Sequence, residues 1–383
     1  MSINEIVFTR QEKGKSMYKL NKWIFFIAPC MFFTLAVQAL DQFPSQLDDG
    51  WQVALPESVG MDPSFVTALK QRSENGIYKE LVSVIVVKKG KLIIEEYFNG
   101  NNKDTKHDVR SAGKSFTSTL FGLTIDKGLL KSEEQYAFPF IKDYLIAPPS
   151  KYIKKLKLKH LLSMSSGFDA NVNDLSSPGN EEKMYETADW VEFAVNVPFV
   201  NEPGKSWAYA SINPTILGFV LETAVKEPLA DFADKNLFTP LNITDYIWRK
   251  SPKGRIIAAG NLLIKARDMA KLGQLYLDKG KWNGKQVVSE AWINKATSKS
   301  FDTGSWMNDY YGYLWWLRNF KVDDKIYPVY YASGNGGQKI YVVPDKALVV
   351  AIQTTAYGKG WAHRQSTRIL MNAIAAANFD SKI

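Results

Sequence analysis

Apolar positions follow two rhythms along this chain, and the switches between them divide it. Near the start, Asp62-Pro63 opens a helix, with the aspartate as cap, proline at the first position and Phe65, Val66 and Leu69 as its apolar stripe. Leu81 to Val87 and Leu92 to Phe98 are β-rich runs joined at Lys88-Lys89-Gly90-Lys91, which predicts a hairpin. Helical spacing then dominates as far as about Lys250. One helix follows Val109 and closes at Lys127-Gly128, and another covers Lys159 to Met164. Two more are predicted over Ile212 to Val225 and Pro228 to Leu237, while Asp169 to Asn180 is polar and turn-rich, a surface loop. Asp268 to Lys279 is a further amphipathic helix stopped by Gly280. The strand rhythm returns over Tyr313 to Phe320, Tyr327 to Ala332, Lys339 to Val343 and Ala347 to Thr354, before a last helix from Arg364 to Ala377. Strands at both ends with helices between predict an α+β fold: one sheet built from residues of about 50–105 and 250–383, and a helical part of about 106–249 inserted between.

Composition changes this picture at the N-terminus. Lys19 and Lys22 precede an apolar run from Trp23 to Val37, and Val37-Gln38-Ala39 supplies a small-residue cleavage site. That order predicts a secretory signal over residues 1–39, with Met17 the better start, and a folded domain over 40–383. The apolar run is short for a membrane span of about 20 residues, so a cleaved signal is favoured over an anchor, with no stable membrane partner afterwards. The expected location is periplasmic or secreted, in a bacterium. The single cysteine, Cys30, falls inside the signal behind a proline that makes it a poor lipoprotein site, and residues 40–383 hold none. Disulfides, thiol nucleophiles and thiolate metal sites are thereby excluded from that domain. A net charge of +9 is spread without a long basic block, so nucleic-acid binding is not indicated.

The candidate chemistry starts at Ser111-Ala112-Gly113-Lys114, an S-x-x-K pattern before an apolar helical run. Positions i and i+3 share a helix face, so the two side chains can touch. A capping serine and a solvated lysine would look the same. The chain has three histidines, His107, His160 and His363, no G-x-S-x-G elbow and no H-E-x-x-H, so neither a nucleophile-elbow triad nor a zinc site is indicated. Lysine serves as base where burial lowers its pKa, and Lys114 is placed for that. Tyr209, in Tyr209-Ala210-Ser211, could bring a phenol to Ser111, or be a packing residue. Ser333-Gly334-Asn335-Gly336-Gly337-Gln338 lies between two apolar strands and permits close backbone approach, or is a plain turn. His107 could line a cleft. His160 and His363 are structural on this reading. Tyr310, Tyr311, Tyr313, Trp315 and Trp316 could border an acyl site, and 169–180 with Tyr185 and Trp190 could form a flap.

Taken in order, these three stretches resemble the serine β-lactamase and penicillin-binding-protein superfamily, especially its class C-like esterase and 6-aminohexanoate-dimer (nylon-oligomer) hydrolase branch. The phrases RSAGKSFTS, KHLLSMSSGFD, LFTPLNI and RDMAKLGQLYLDKGKWNGKQVVS extend the likeness over nearly all of residues 40–383. The resemblance implies a β-lactamase/transpeptidase-like fold, with a mostly antiparallel sheet flanked by helices and the site in a cleft beside the helical part. It implies Ser111 as acylated nucleophile, Lys114 as base, Tyr209 as partner acid/base and Ser211 as a hydrogen-bonding neighbour. Gly334, Asn335, Gly336 and Gln338 would form the substrate and oxyanion edge, with one N–H from Ser111 and another near Gln338. No cofactor or metal is implied. The substrate would be a small ester, amide or short peptide. The third motif departs from the family's Lys-Thr-Gly by holding no Lys or His, which argues against a dedicated β-lactamase. A β-lactamase or D-alanyl-D-alanine carboxypeptidase, and a non-catalytic penicillin- or peptidoglycan-binding sensor, are the alternatives.

Overall fold

A computed structural model describes residues 44–304 and 309–378; the predicted signal segment 1–39, with Met17 and Cys30, lies outside them. The strands are β1 Gln52–Val53, β2 Leu81–Lys88, β3 Lys91–Tyr97, β4 Lys106–Asp108, β5 Tyr246–Trp248, β6 Leu262–Lys265, β7 Lys281–Trp282, β8 Lys285–Gln286, β9 Phe301–Asp302, β10 Tyr310–Tyr311, β11 Trp316–Val322, β12 Lys325–Gly334, β13 Gln338–Val343 and β14 Leu348–Thr354. The five longest helices among the described residues are α1 Ser64–Glu74, α2 Lys114–Asp126, α3 Ile212–Val225, α4 Ala266–Leu277 and α5 Trp361–Ala376.

Nine strands make the main sheet in the order β1-β3-β2-β14-β13-β12-β11-β10-β9. The two ends of the chain meet where β2 pairs antiparallel with β14, Ile85 opposite Ala351. Every pairing in this sheet is antiparallel except β1 with β3. Its central strands are covered on both faces, which is why β2, β13 and β14 are near-continuous apolar runs. Side chains alternate across them. Val84, Val86, Tyr341, Val350 and Ile352 pack against Phe65 and Leu69 of α1 and Ile369, Leu370 and Ile374 of α5. Ile85, Val87, Ile340, Val342 and Val349 face the other way, towards Met269 and Leu272 of α4 and the helical part. The fold is β-lactamase-like, as the resemblance implied.

Two features position the site. A small sheet, β4-β6-β5, has its strand β4 just before α2 in the chain, and Val109 N–H extends its pairing by donating to Leu262 O at 3.0 Å. The second is the end of β12, which reaches the same point from the main sheet. Some predicted elements shift. Pro228 to Leu237 is a short helix, Leu229–Ala233, that relaxes into a π-type turn over Asp234–Phe238. Tyr313 to Trp315 is buried turn rather than strand, with Leu314 at φ +61°, and β11 begins only at Trp316.

Candidate active site

Ser111 sits in a single 3-10 turn, Arg110–Gly113, that runs into α2 at Lys114. The nucleophile candidate is therefore not on the α-helix itself, as the i, i+3 argument assumed, but on the tighter turn before it. Arg110 holds φ at +51°, in the left-handed region. That conformation costs a non-glycine residue about 1 kcal/mol or more and persists only where surroundings impose it. Here Asp108 Oδ1 accepts from Arg110 N–H at 2.8 Å, and the guanidinium lies 4.4 Å over the Tyr357 ring. Two glycines let backbone close on the turn from either side. A Cβ on Gly334 would stand 2.2 Å from Val109 O, and one on Gly260 would stand 2.5 Å from Arg110 O.

Lys114 is buried, and its Nζ reaches Ser111 Oγ at 2.8 Å, the Ala259 carbonyl at 2.7 Å and Ser211 Oγ at 3.3 Å. Burial disfavours its charged form and pulls the pKa down to about 8, with the Glu181 carboxylate opposing that fall. An amine half-neutral near pH 8, in contact with a serine hydroxyl, can take its proton. Tyr209 shares a hydrogen bond with Ser111, and its ring stands 5.2 Å from Lys114 Nζ. Burial raises the phenol above its ordinary range, so it stays protonated. The ring is wedged by Trp207, Tyr311 and Trp316, with centroids at 6.3, 6.1 and 5.5 Å.

These groups open into a cleft of about 750 Å³. Ser111, Tyr209, Trp316, Gly334 and Asn335 line it, and Asn171 to Asn173 of the predicted flap form another wall. That loop is fastened by Asn180, whose Nδ2 donates to the carbonyls of Asn171 and Asp174 at 3.0 and 2.9 Å. Of the third motif, Gly334 and Asn335 reach the cleft, whereas Gly336 and Gln338 do not line it. The turn doubles back with Gly336 and Gly337 at φ +85° and +86°, and Gly336 is buried beside Ala356 and Tyr357. Gln338 is buried too, its amide exchanging hydrogen bonds with Thr354 O and N at 2.6 and 3.1 Å. The part of the third motif that faces the cleft is thus the end of β12 with Asn335, and the Gln338 side chain points away into the core.

Other corrections concern residues that sequence reasoning passed over. Lys339 stands opposite Ser333 in the β12–β13 pairing, lines the cleft and donates to Ser333 Oγ at 2.7 Å. A hairpin centred on Gly336 pairs 333 with 339, so the signal was present in the sequence. The third motif therefore does have a lysine beside it, supplied by the neighbouring strand. Burial, then Arg318, lowers the Lys339 pKa to about 7, while Asp309 opposes. Arg318 makes a two-pronged pair with Asp309, both contacts at 2.5 Å. His363, read as structural, lines the same cleft and is held neutral by burial and by Lys339, its pKa lowered to about 3. Glu181, absent from the sequence reading, lines the cleft and accepts a hydrogen bond from Ser211. His107 lies outside the cleft, bonded through Nε2 to Thr354 O at 2.6 Å and Tyr357 Oη at 2.8 Å. His160 accepts from Lys157 N–H at 3.2 Å at a helix start. Tyr313 and Trp315 are core residues.

Comparison with known proteins agrees with this architecture. Residues 78–372 match the family described as Beta-lactamase. The 6-aminohexanoate-dimer hydrolase of Paenarthrobacter ureafaciens is 23% identical over 239 residues, 59% of this chain and 58% of that one, so less than two thirds of that relative is spanned. Among solved structures, the "Putative 6-aminohexanoate-dimer hydrolase from Bacillus anthracis" superposes with a TM-score of 0.69 at 18% identity, covering 91% of this chain and 94% of the other. EstCE1, a hydrolase with promiscuous acyltransferase activity, gives a TM-score of 0.67 at 14% identity, over 82% of this chain and 98% of its own. At such identities the superpositions speak for the fold. The family match runs from just before β2 into α5 and so takes in both halves of the sheet and everything between them: the chain belongs to the beta-lactamase family.

Proposed function

We propose that this protein is an exported serine hydrolase that cleaves a small ester or amide through an acyl-enzyme on Ser111. The observation that carries this is the 2.8 Å contact between Ser111 Oγ and Lys114 Nζ, an amine whose pKa is lowered to about 8. Ser111 Oγ attacks the carbonyl carbon as its proton passes to Lys114 Nζ. The oxyanion so formed is met by the Ser111 N–H and by backbone N–H at the end of β12, where each such donor typically contributes about 3 kcal/mol. Tyr209 gives its hydroxyl proton to the departing oxygen or nitrogen and recovers one from Lys114. Water then attacks the acyl carbonyl with the same groups working in reverse, releasing the acid and restoring Ser111. The aromatic wall of Trp207, Tyr209 and Trp316 suits an apolar acyl or leaving group. Export rests on the basic, apolar and small-residue order of residues 1–39.

Lys339 favours a second reading. A buried lysine amine against Ser333, on the strand that lines the cleft and charged below about pH 7, suits a substrate carboxylate, as a β-lactam or a peptidyl-D-alanine would present. The experiment is to measure kcat/KM of the purified protein on a p-nitrophenyl ester series, short amides and a chromogenic cephalosporin. Faster turnover of esters or amides is expected. Cephalosporin turnover matching that of activated esters would move the assignment to the second reading. Stoichiometric labelling without turnover of any substrate would make the protein a binding sensor.

A further inference from the structure

A lysine base must aim its lone pair at the hydroxyl it deprotonates, and a neutral amine on a flexible stem has three ways to point. At Lys114 the surroundings select one. Nζ has three partners: Ser111 Oγ at 2.8 Å, the Ala259 carbonyl at 2.7 Å and Ser211 Oγ at 3.3 Å. The carbonyl can only accept. A serine hydroxyl can donate or accept, so Ser211 alone would leave the direction open. Its direction is fixed one residue further out, because Ser211 donates its proton to the Glu181 carboxylate. Glu181 begins the short helix Glu181–Tyr185, whose cap Asn180 is the residue that fastens the flap, and Tyr185 hydrogen-bonds to the same carboxylate. With its proton committed to Glu181, Ser211 can only accept from Lys114. The two N–H groups of the free amine then go to Ala259 O and Ser211 Oγ, and the lone pair is left facing Ser111.

We propose that Glu181 is a positioning residue for the base: through Ser211 it fixes the hydrogen-bond direction at Lys114 so that the amine lone pair meets the Ser111 hydroxyl. The proposal rests on the acyl-enzyme reading above. In the step it serves, the Ser111 O–H bond breaks, the proton becomes the third N–H of Lys114, and the Ser111 oxygen bonds to the substrate carbonyl. Glu181 takes no proton. This repeats the logic by which a third group orients the base of a nucleophile–base pair. The groups facing Lys114 are the hydroxyls of Ser111, Tyr209 and Ser211, the Ala259 carbonyl and, beyond Ser211, Glu181. Tyr209 stays neutral, so Glu181 is the charge that acts on Lys114, and it holds the lysine pKa higher than burial alone would.

The test is the pH profile of kcat/KM on an activated ester for wild type, Glu181→Gln, Ser211→Ala and the double variant. A positioned general base supplies about 10²–10⁴-fold, and losing its direction should forfeit roughly tenfold of that at the plateau. Glu181→Gln should also move the acid limb to lower pH, because the charge opposing Lys114 deprotonation is gone. Ser211→Ala should lose a similar plateau factor with the limb unmoved, since it breaks the link and keeps the charge. The double variant should lose no more than the worse single one, as expected of residues acting as a unit. A wild-type plateau and limb in Glu181→Gln, or losses that multiply in the double variant, would overturn the proposal. Should Glu181→Gln not fold, a wild-type plateau in Ser211→Ala overturns it equally. Ser111→Ala measured alongside separates the two levels: turnover surviving there removes the acyl-enzyme reading itself, whereas its loss leaves the Glu181 result to be judged alone.

Discussion

Lys114 ties activity and stability to one titration, so changing pH perturbs both together. With a folded pKa of about 8, about half of the lysine is neutral at pH 8, about a tenth at pH 7 and about a hundredth at pH 6. The rate constant kcat/KM should climb roughly tenfold per pH unit and level off above about 8, while Tyr209, held above its ordinary range, keeps its proton throughout. Stability runs in the same direction. The folded pKa lies below the ordinary lysine value of 10.5, so between about 8 and 10.5 the unfolded chain binds more protons, and stability rises with pH. The penalty is fully present below about 8 and gone above 10.5, and a shift of this size corresponds to about 3 kcal/mol. Lys88 and Lys339 are also lowered, to about 8 and about 7, so the total pH dependence mixes several groups. Lys114→Met keeps the stem and removes the charge, and the difference between it and wild type isolates the one residue. Urea unfolding followed by tryptophan fluorescence at pH 7 and pH 10.5 should show wild type gaining about 3 kcal/mol relative to the variant, with the variant inactive at both. A pH-independent difference, a flat kcat/KM between pH 6 and 9, or an active Lys114→Met would refute the assignment of Lys114 as a buried base.

Gly334→Ala sets a methyl 2.2 Å from Val109 O and must push the end of β12 off the nucleophile turn. Misplacement on the 1 Å scale costs about 100-fold in rate, so kcat/KM should fall by that order while the protein remains folded by circular dichroism; wild-type activity would mean that β12 does not abut the turn. Lys339→Met removes the cleft amine beside Ser333. For two esters differing only in a free carboxylate and assayed at about pH 6, where Lys339 is charged, KM of the acidic one should rise about tenfold, the loss of one charge-assisted hydrogen bond, with the neutral ester unchanged. Equal effects on both would remove Lys339 from substrate recognition.

How much of this was legible in the sequence depends on the range of the forces involved. The helix Ile212 to Val225 has the bounds its periodicity predicts, and β13 and β14 begin and end within a residue of their apolar runs. Both faces of those strands are buried, so the pattern and the structure have the same cause. Where burial comes without extended backbone, as at Tyr313 to Trp315, the same apolar signal reads as strand and is a turn. The short strands β5 and β6 escape the pattern because they exist only through pairing with each other and with β4. The site divides the same way. Ser111 and Lys114 are local in sequence and were visible at once. Tyr209 and Ser211 came through the order of motifs. Lys339 lies one residue past the stretch Ser333 to Gln338 and joins the site only through the hairpin, whose symmetry about Gly336 sets it opposite Ser333. Glu181 reaches Ser211 across 30 residues of loop and short helix with no periodic signal to announce it. Only the folded chain brings it to Lys114.

The acyl-enzyme on Ser111 can be tested most directly by intact-mass measurement after exposing wild type and Ser111→Ala to a fluorophosphonate and to an activated ester. Wild type should gain the mass of one adduct per chain, located by digestion to the peptide holding Ser111 and Lys114, and Ser111→Ala should gain none. An adduct of equal yield on both proteins, or ester turnover by Ser111→Ala at the wild-type rate, would contradict Ser111 as the nucleophile.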